Sequence, residues 1–175
     1  MCIEITTYYL EMTNRQQHRP KEKNNPNFEV REACISLPEM NRFFYTTVGK
    51  DLYWTDRLNW TIEQWAAWVE RPELRTWVGY LSGTPAGYFE LEAQPDDTIE
   101  LAYFGLLSRF TGQGLGGYFL TQAIEQAWAM DAARVWVHTC TLDHTSALAN
   151  YKARGFTLYD QQVHMHHVPN VDRVD

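Results

Sequence analysis

Apolar and polar positions alternate along several short segments of the chain, a pattern that predicts β-strands. The segments with this pattern are 3–12, 28–36, 76–83, 84–93, 99–107, 134–142 and 156–168. Other segments repeat apolar residues every three or four positions, which predicts amphipathic helices at 37–48, 61–71, 112–130 and 145–155. The polar stretch 14–27 contains two prolines and predicts a mobile loop, and the last seven residues are expected to fray.

From residue 76 onward the predicted elements follow the order β-β-β-α-β-α-β. Turn residues at 82–85 and 94–98 join the first three of these strands into an antiparallel meander. Strands that then alternate with helices are typical of an α/β protein with a mixed sheet. The length of 175 residues, with no internal repeat, predicts a single domain over residues 1–175.

The segment "FTGQGLGGYFL", residues 110–120, carries four glycines within six positions, directly before a predicted helix. Glycine disfavours a helix interior, so the cluster indicates a need for bare backbone at the helix start. Unpaired N–H groups and the positive end of the helix dipole make such a start suited to phosphate. The cluster therefore predicts a phosphate-binding loop.

Three phosphate-binding motifs can be compared with this loop. A P-loop requires Lys after its last glycine, and Tyr118 follows Gly117 here, which excludes that motif. The dinucleotide-binding motif GxGxxG does match, at Gly112, Gly114 and Gly117. It belongs in the first βαβ unit of a chain, whereas this loop follows an antiparallel meander and only 58 residues remain after Gly117. The third motif fits best.

The loop resembles the coenzyme A loop of the GNAT superfamily of N-acetyltransferases, whose motif is Q/R-x-x-G-x-G/A. The motif aligns with Thr111-Gly112-Gln113-Gly114-Leu115-Gly116, so Thr111 stands where the family has Gln or Arg. Arg109 begins a second R-x-x-G-x-G match in another frame, but the following "LGGYFL" aligns better in the first. Downstream, "ALANYKARGF" resembles the family's "A..LYEKLGF" segment, and His144 stands where the family commonly has Asn. The resemblance covers about residues 76–160. It implies an α/β fold with a mixed, mostly antiparallel central sheet, splayed between the family's fourth and fifth strands and flanked by helices.

The resemblance also implies where acetyl-CoA would bind as co-substrate. Its phosphates would lie on the loop, at Thr111, Gly112, Gln113, Gly114, Leu115, Gly116 and Gly117. Its pantetheine arm would pair with the family's fourth strand, residues 98–107 here, at Phe104, Gly105 and Leu106. Gly105 is expected to mark a bulge, and Asn150 is a further candidate contact to coenzyme A.

Acyl transfer from a thioester to an amine needs a base for the amine and a proton donor for the leaving thiolate. The family segment implies Tyr151 as the acid. For the base, Glu100 is the first candidate, because it lies mid-strand on the same face as Phe104. The alternatives left open are Glu90, Glu92 and His138.

Composition narrows the possible partners. A net charge of −7 argues against nucleic acid, which requires a basic surface. The three cysteines form no CxxC pattern, and no apolar run reaches the roughly 20 residues of a membrane span, so a cytoplasmic protein without a membrane partner is expected. His164 and His166 lack an accompanying carboxylate or cysteine pattern, and no metal is expected. The expected partners are a coenzyme A thioester and an amine acceptor, with the chain a monomer or homodimer.

The sequence thus predicts an acetyl-CoA-dependent N-acetyltransferase that moves an acetyl group to a primary amine of a small molecule or peptide. Four tryptophans in the segment of the acceptor side hint at an apolar or aromatic amine: Trp54, Trp60, Trp65 and Trp68. The departures at Thr111 and His144 leave open a non-catalytic acyl-CoA-binding module. A nicotinamide-dependent oxidoreductase, resting on GxGxxG alone, is a remote alternative.

Overall fold

A computed structural model of the protein describes residues 2–167. Its strands are β1 (Cys2–Met12), β2 (Phe28–Glu32), β3 (Leu74–Leu81), β4 (Thr84–Gln94), β5 (Thr98–Leu106), β6 (Arg134–Cys140) and β7 (Thr157–His167). Its α-helices are α1 (Pro38–Gly49), α2 (Ile62–Val69), α3 (Gly116–Trp128) and α4 (Ala147–Ala153). The expected fraying of the last seven residues concerns positions outside the described residues.

Helix starts follow local backbone chemistry. Helix α3 begins at Gly116 rather than at residue 112, because Gly112 and Gly114 have φ angles of 73° and 76° that do not continue a right-handed helix. Helix α2 begins after Thr61, whose hydroxyl accepts a hydrogen bond from the Gln64 backbone N–H at 3.3 Å. The Gln64 side chain accepts in return from the Thr61 N–H at 2.8 Å, which completes a capping box.

The seven strands form one sheet in the order β2-β3-β4-β5-β6-β1-β7. Neighbouring strands are antiparallel except β5 and β6, which run parallel. These two strands pair only from Thr98 and Arg134 to Glu100 and Trp136, and then separate. The family's fourth and fifth strands are β5 and β6 of this chain, so the predicted fold class, including the splay, is confirmed.

Strand β1 occupies a place that local sequence does not reveal. It lies between β6 and β7, pairing with β6 from Thr7 to Met12 and with β7 along most of its length. The first strand of the chain is thereby built into the half of the sheet that holds the predicted site. Tyr9 of β1, for example, lies beside His138 of β6, with ring centroids 6.0 Å apart.

Helices cover both faces of the sheet. Trp77 and Val78, adjacent in β3, belong to two separate clusters of buried apolar residues, one on each face. The first cluster includes residues of α3, namely Phe119, Leu120, Ala123, Ile124 and Ala127. The second face is covered by α1 and α2 through Phe44, Tyr45, Val48, Trp65 and Val69. These packed layers position the loops that border the separation of β5 from β6.

Segment 13–27 is irregular, as predicted, but it is fastened across the start of α3. The backbone N–H of Lys21 donates to Thr121 Oγ1 at 2.8 Å. The side-chain amide of Asn24 donates to the Gly114 carbonyl at 3.0 Å. Because these bonds join the segment to the glycine-rich loop, it is an ordered part of the site, and the expectation of a mobile loop is replaced.

Candidate active site

A cavity of about 1020 Å³ lies where β5 separates from β6. Its wall combines the glycine-rich loop, the free half of β5, helix α4 and the loop between α1 and α2. Ligand sites in proteins are typically clefts of this size. The predicted site residues can therefore be placed relative to one cavity.

The glycine-rich loop presents bare backbone to the cavity. The N–H groups in the first turn of any α-helix lack an intrahelical acceptor. In α3 no side-chain cap supplies one, so these N–H groups remain available to a ligand. Six of the seven predicted loop residues line the cavity: Thr111, Gly112, Gly114, Leu115, Gly116 and Gly117. Gln113 is not among them, and its side-chain amide donates instead to the Arg109 carbonyl at 2.9 Å.

The free half of β5 forms the next part of the wall. All three of its predicted contact residues line the cavity: Phe104, Gly105 and Leu106. The bulge expected at Gly105 lies instead at Ala102, where the register with β4 shifts between Leu101 and Tyr103. Gly105 serves a different purpose, because a Cβ at this position would overlap the Val48 side chain of α1. The glycine thus allows α1 to approach β5 closely.

Tyr151 lies on α4 and lines the same cavity, with only 6% of its surface exposed. Its ring packs against Phe104 and Phe156, at centroid distances of 6.4 and 5.9 Å. Burial, together with the negative charge of Asp143, raises the pKa of the Tyr151 hydroxyl well above its usual value. The hydroxyl therefore stays protonated at ordinary pH and is available as a hydrogen-bond donor.

Asn150 joins α4 to the glycine-rich loop. Its side-chain amide donates to the Gly116 carbonyl at 3.4 Å, and the residue also lines the cavity. His144, at the position where the family commonly has Asn, accepts a hydrogen bond on Nδ1 from the Ser146 N–H at 3.2 Å. The described contacts of Asn150 are thus compatible with a place beside coenzyme A.

Glu100 lies behind the cavity wall, beside a histidine that lines it. Glu100 Oε1 is 3.4 Å from His138 Nδ1, and Oε2 accepts from the Gln94 side chain at 2.7 Å. His138 borders the cavity, whereas Glu100 is not among its lining residues. The Glu100 carboxylate accepts a hydrogen bond from the imidazole and so raises the pKa of His138, against the opposing effect of burial. The first candidate for the base is therefore one half of a carboxylate–imidazole pair.

The sequence was compared with known protein families. It matches the acetyltransferase (GNAT) family over residues 37–156, which includes both segments that carried the resemblance. The protein is a member of the GNAT acetyltransferase family. Among the three phosphate-binding motifs, membership favours the coenzyme A loop over the dinucleotide motif.

Solved GNAT structures are similar in fold and distant in sequence. A GCN5-related N-acetyltransferase from Kribbella flavida is 18% identical, with a TM-score of 0.66 over 91% of this chain and 57% of that chain. One from Sphaerobacter thermophilus is 15% identical, with a TM-score of 0.70 over 93% and 51%. A tandem GNAT protein from the clavulanic acid biosynthesis pathway is 13% identical, with a TM-score of 0.63 over 90% and 51%. This chain spans about half the length of those structures, and a search of curated proteins gives no significant match.

In this GNAT domain Glu90 and Glu92, which share a face of the sheet with Glu100, are bound by other side chains of the protein. Glu90 is fully buried and accepts hydrogen bonds from the side chains of Asn41 at 2.8 Å and Trp68 at 2.9 Å. Arg57 Nη1 lies 3.7 Å from Glu90. Glu92 pairs with Arg71 at 2.9 Å. Neither carboxylate borders the cavity.

The cavity wall beside the α1–α2 loop is aromatic and acidic. Its aromatic residues are Tyr9, Tyr45, Tyr53, Trp54 and Tyr103. Its carboxylates are Asp51, Asp56 and Asp143. Of the four tryptophans singled out in the sequence, only Trp54 borders the cavity, and its indole N–H donates to Asp143 at 3.3 Å. The other three, Trp60, Trp65 and Trp68, pack behind this wall around Tyr45 and Arg57.

Residues 2–167 offer neither a metal centre nor a membrane-spanning helix. No group of three or more His, Cys, Asp or Glu in this part of the chain is arranged to hold a metal ion. His164 borders the cavity, whereas the side chain of His166 lies outside the described residues. Over the same residues, every helix is too short or too polar to span a membrane.

Several residues of the cavity were not predicted as site residues. Asp56 and Asp143 lie in irregular loops with no motif around them, so no local signal distinguished them. Lys21 and Arg154 contribute positive charge beside the glycine-rich loop. The basic composition of segment 14–27 was a signal for Lys21, but it carried no information about where the segment folds.

Proposed function

We propose that this GNAT domain transfers the acetyl group of acetyl-CoA to a primary amine of a small molecule or peptide. One observation carries the proposal. The uncapped start of α3, the edge of β5 that β6 leaves beyond Glu100 and Tyr151 all border the same cavity. A coenzyme A thioester needs an anion site, an extended backbone partner and a donor for its sulfur, and these features can supply all three.

The acetyl donor would bind along the two backbone elements. Phosphate oxygens would accept hydrogen bonds from N–H groups of the first turn of α3, at Gly116 and Gly117. The pantetheine amides would pair with β5 beyond Glu100, where β6 no longer does so. Asn150, on α4, would contact the thioester arm from the opposite side.

The base would be His138, held by Glu100. Glu100 engages Nδ1 of the imidazole, which leaves the other ring nitrogen to accept a proton. The ammonium group of the acceptor first loses one proton to solvent. The neutral amine nitrogen then attacks the thioester carbon, and its second proton passes to His138 directly or through water. The carbon–sulfur bond then breaks, and the Tyr151 hydroxyl donates a hydrogen bond or its proton to the leaving sulfur. Glu100, the first candidate in the sequence, would thus act through the histidine.

The acceptor would bind as a protonated, positively charged amine, because a primary amine is protonated at neutral pH. Asp56 and Asp143 border the cavity, and no ion pair among the described residues uses either carboxylate. The aromatic residues beside them offer ring faces that attract cations. We place the reaction in the cytoplasm, since Cys34 and Cys140 form no disulfide. We take the enzyme to be a monomer or homodimer.

The first test measures coenzyme A binding and acetyl transfer separately. Coenzyme A should raise the melting temperature of the protein, and acetyl-CoA with a panel of primary amines should release free thiol. Coenzyme A binding without thiol release from any amine would favour the non-catalytic acyl-CoA-binding module. Stabilisation by NAD rather than by coenzyme A would overturn the proposal.

The second test removes one hydroxyl. Tyr151→Phe should lower the single-turnover rate by about 10²–10⁴-fold, the typical contribution of a proton donor, and change coenzyme A affinity less than about threefold. Tyr159→Phe, on the exposed strand β7 away from the cavity, is the matched control and should react like the parent. A Tyr151→Phe variant with parental turnover would show that Tyr151 is not the acid.

A further inference from the structure

Two positive side chains from distant parts of the chain meet at the first turn of α3. Lys21 comes from segment 13–27, and Arg154 follows α4. A Cβ placed on Gly117 would lie 2.5 Å from Lys21 Cδ, 3.3 Å from Lys21 Nζ and 2.9 Å from Arg154 Nη1. Both charges therefore lie over the same glycine, and both residues border the cavity.

Neither charge has a carboxylate partner in the described part of the chain. Five arginines do pair with a Glu: Arg31, Arg57, Arg71, Arg75 and Arg134. No such pair includes Lys21 or Arg154, and the buried Nε of Arg154 has no hydrogen-bond partner. The N-terminus of a helix is its positive end, so two neighbouring cations at this position repel both each other and the helix dipole. An anion bound between them would remove that cost.

The coenzyme A loop lacks a charged or amide side chain at its own first position. The resemblance places Thr111 where the family has Gln or Arg, and the Thr111 hydroxyl donates to the Ser108 carbonyl at 2.8 Å. Lys21 lies outside the part of the chain that matches the family, residues 37–156. The loop therefore has no charged side chain at Thr111, and Lys21 supplies a positive charge near the loop instead. Lys21 belongs to segment 13–27, which the family match does not include.

Hydrogen bonds hold the backbone of segment 13–27 beside the first turn of α3. The Lys21 N–H donates to Thr121 Oγ1, and Thr121 Oγ1 in turn donates to the Gly117 carbonyl at 3.0 Å. The Arg19 N–H donates to the Arg154 carbonyl at 2.9 Å, which links the segment to the second cation. The backbones that carry the two charges are therefore in place before any ligand arrives, so that less chain has to be ordered on binding.

We infer that Lys21 and Arg154 bind the pyrophosphate of the coenzyme A thioester, with Lys21 replacing the side chain that the loop motif lacks at Thr111. This inference rests on the proposed function, because it assumes that coenzyme A occupies the glycine-rich loop. Segment 13–27 is then a functional part of the donor site. The 3′-phosphate of coenzyme A, which lies on the ribose, is not the group assigned to Lys21.

The test compares ligands that differ in their phosphates. Calorimetry would measure coenzyme A and dephospho-coenzyme A, which lacks only the 3′-phosphate, against the parent, Lys21→Met and Lys23→Met. Lys21→Met should weaken both ligands by about tenfold, since one charge-assisted contact is lost, and should reduce the salt dependence of binding. Lys23 lies two residues along the same segment, does not border the cavity and should bind within twofold of the parent when replaced.

Three results would overturn the inference, and each differs from failure of the proposed function. Parental affinity of Lys21→Met for both ligands would show that Lys21 does not bind phosphate. A loss confined to coenzyme A, with dephospho-coenzyme A unaffected, would assign Lys21 to the 3′-phosphate. Equal losses in Lys21→Met and Lys23→Met would reveal only a general charge effect. A parent protein that binds neither ligand would instead refute the proposed function itself.

A stability measurement separates binding from folding. Without ligand, Lys21→Met should melt no lower than the parent, because the substitution relieves repulsion and keeps the backbone bond to Thr121. A double variant, Lys21→Met with Thr111→Arg, should regain coenzyme A affinity by restoring the family's charge at the loop. A lower melting temperature together with no recovery would mean that Lys21 is structural, and the inference would be wrong.

Discussion

Glu90 and Glu100 lie on adjacent strands and on the same face of the sheet, yet their surroundings differ. Glu90 lies under α1 and α2, where Asn41, Trp68 and Arg57 surround its carboxylate. Glu100 lies at the last paired position before β5 leaves β6, and its carboxylate contacts His138 at the cavity. In the sequence Glu100 was the first candidate for the base and Glu90 an alternative, and the separation of β5 from β6 gives the two carboxylates different surroundings.

The two carboxylates also differ in whose pKa is changed: that of Glu90 itself is raised, whereas Glu100 raises the pKa of its partner His138. Burial raises the pKa of Glu90, although Arg57 and the hydrogen bonds from Asn41 and Trp68 oppose the change. The partners of Glu90 come from α1, α2 and the loop between these helices, so Glu90 joins them to the sheet. Glu100 instead raises the pKa of a partner that borders the cavity. A carboxylate that orients a titratable group beside a cavity can serve chemistry, whereas one enclosed by its own partners serves the fold.

The sharpest way to separate the two roles is His138→Ala. Loss of the base should lower the acetyl-transfer rate by about 10²–10⁴-fold, while the melting temperature stays close to that of the parent, because the His138 side chain is about half exposed. Added imidazole should restore part of the rate by filling the vacated space. Stopped-flow thiol release with and without imidazole measures this. Unchanged turnover would remove His138 from the mechanism.

The complementary change is Glu90→Leu, which should act on stability. It leaves Arg57 and two hydrogen-bond donors buried without their acceptor, and breaking such a pair costs about 3–5 kcal/mol. For a domain of this size the melting temperature should fall by roughly 10 °C. Scanning calorimetry measures the change, and coenzyme A affinity of the folded variant should be unaltered. A parental melting temperature would contradict the structural role assigned to Glu90.

A smaller loss of acetyl-transfer rate is expected for Glu100→Gln. Its pH dependence distinguishes an effect on His138 from a general structural defect. A base works only when neutral, and Glu100 raises the pKa of His138, so activity of the parent should rise with pH through a value above the ordinary histidine pKa. Removing the carboxylate lowers that pKa, so the acidic limb should move to lower pH. The rate at high pH should fall by about tenfold as orientation weakens.

The pH profile provides its own control for Glu100→Gln. The ratio of variant to parent rates should increase as the pH falls, which a purely structural defect would not produce. An acidic limb at the parental pH would show that Glu100 does not control the titration of His138.

The smallest effect is expected for Glu92→Gln, the matched control on the same face. Glu92 pairs with Arg71, whose side chain is one-third exposed, and such ion pairs contribute less than about 1 kcal/mol. Turnover and its pH dependence should match the parent, and chemical denaturation should detect at most a small loss. An effect as large as that of Glu100→Gln would mean that the three carboxylates share one role.

The sequence by itself determined what depends on neighbouring residues. The glycine-rich loop before α3 and the cap at Thr61 arise within a few residues, although the positive φ angles of Gly112 and Gly114 delay the predicted helix start from residue 112 to Gly116. The same holds for the order of strands and helices, since periodicity is a local property. The family resemblance, carried by two short motifs, then correctly implied the splayed sheet.

Only the tertiary structure decided what depends on residues distant in the chain. It inserts β1 between β6 and β7, carries Lys21 to Gly117 and encloses Glu90 while leaving the Glu100–His138 pair at the cavity. It also moves the bulge to Ala102, because the register is set by pairing with β4. The physical reason is that side-chain burial and charge pairing depend on which strands and loops become neighbours, and no local pattern of polar and apolar residues encodes that choice.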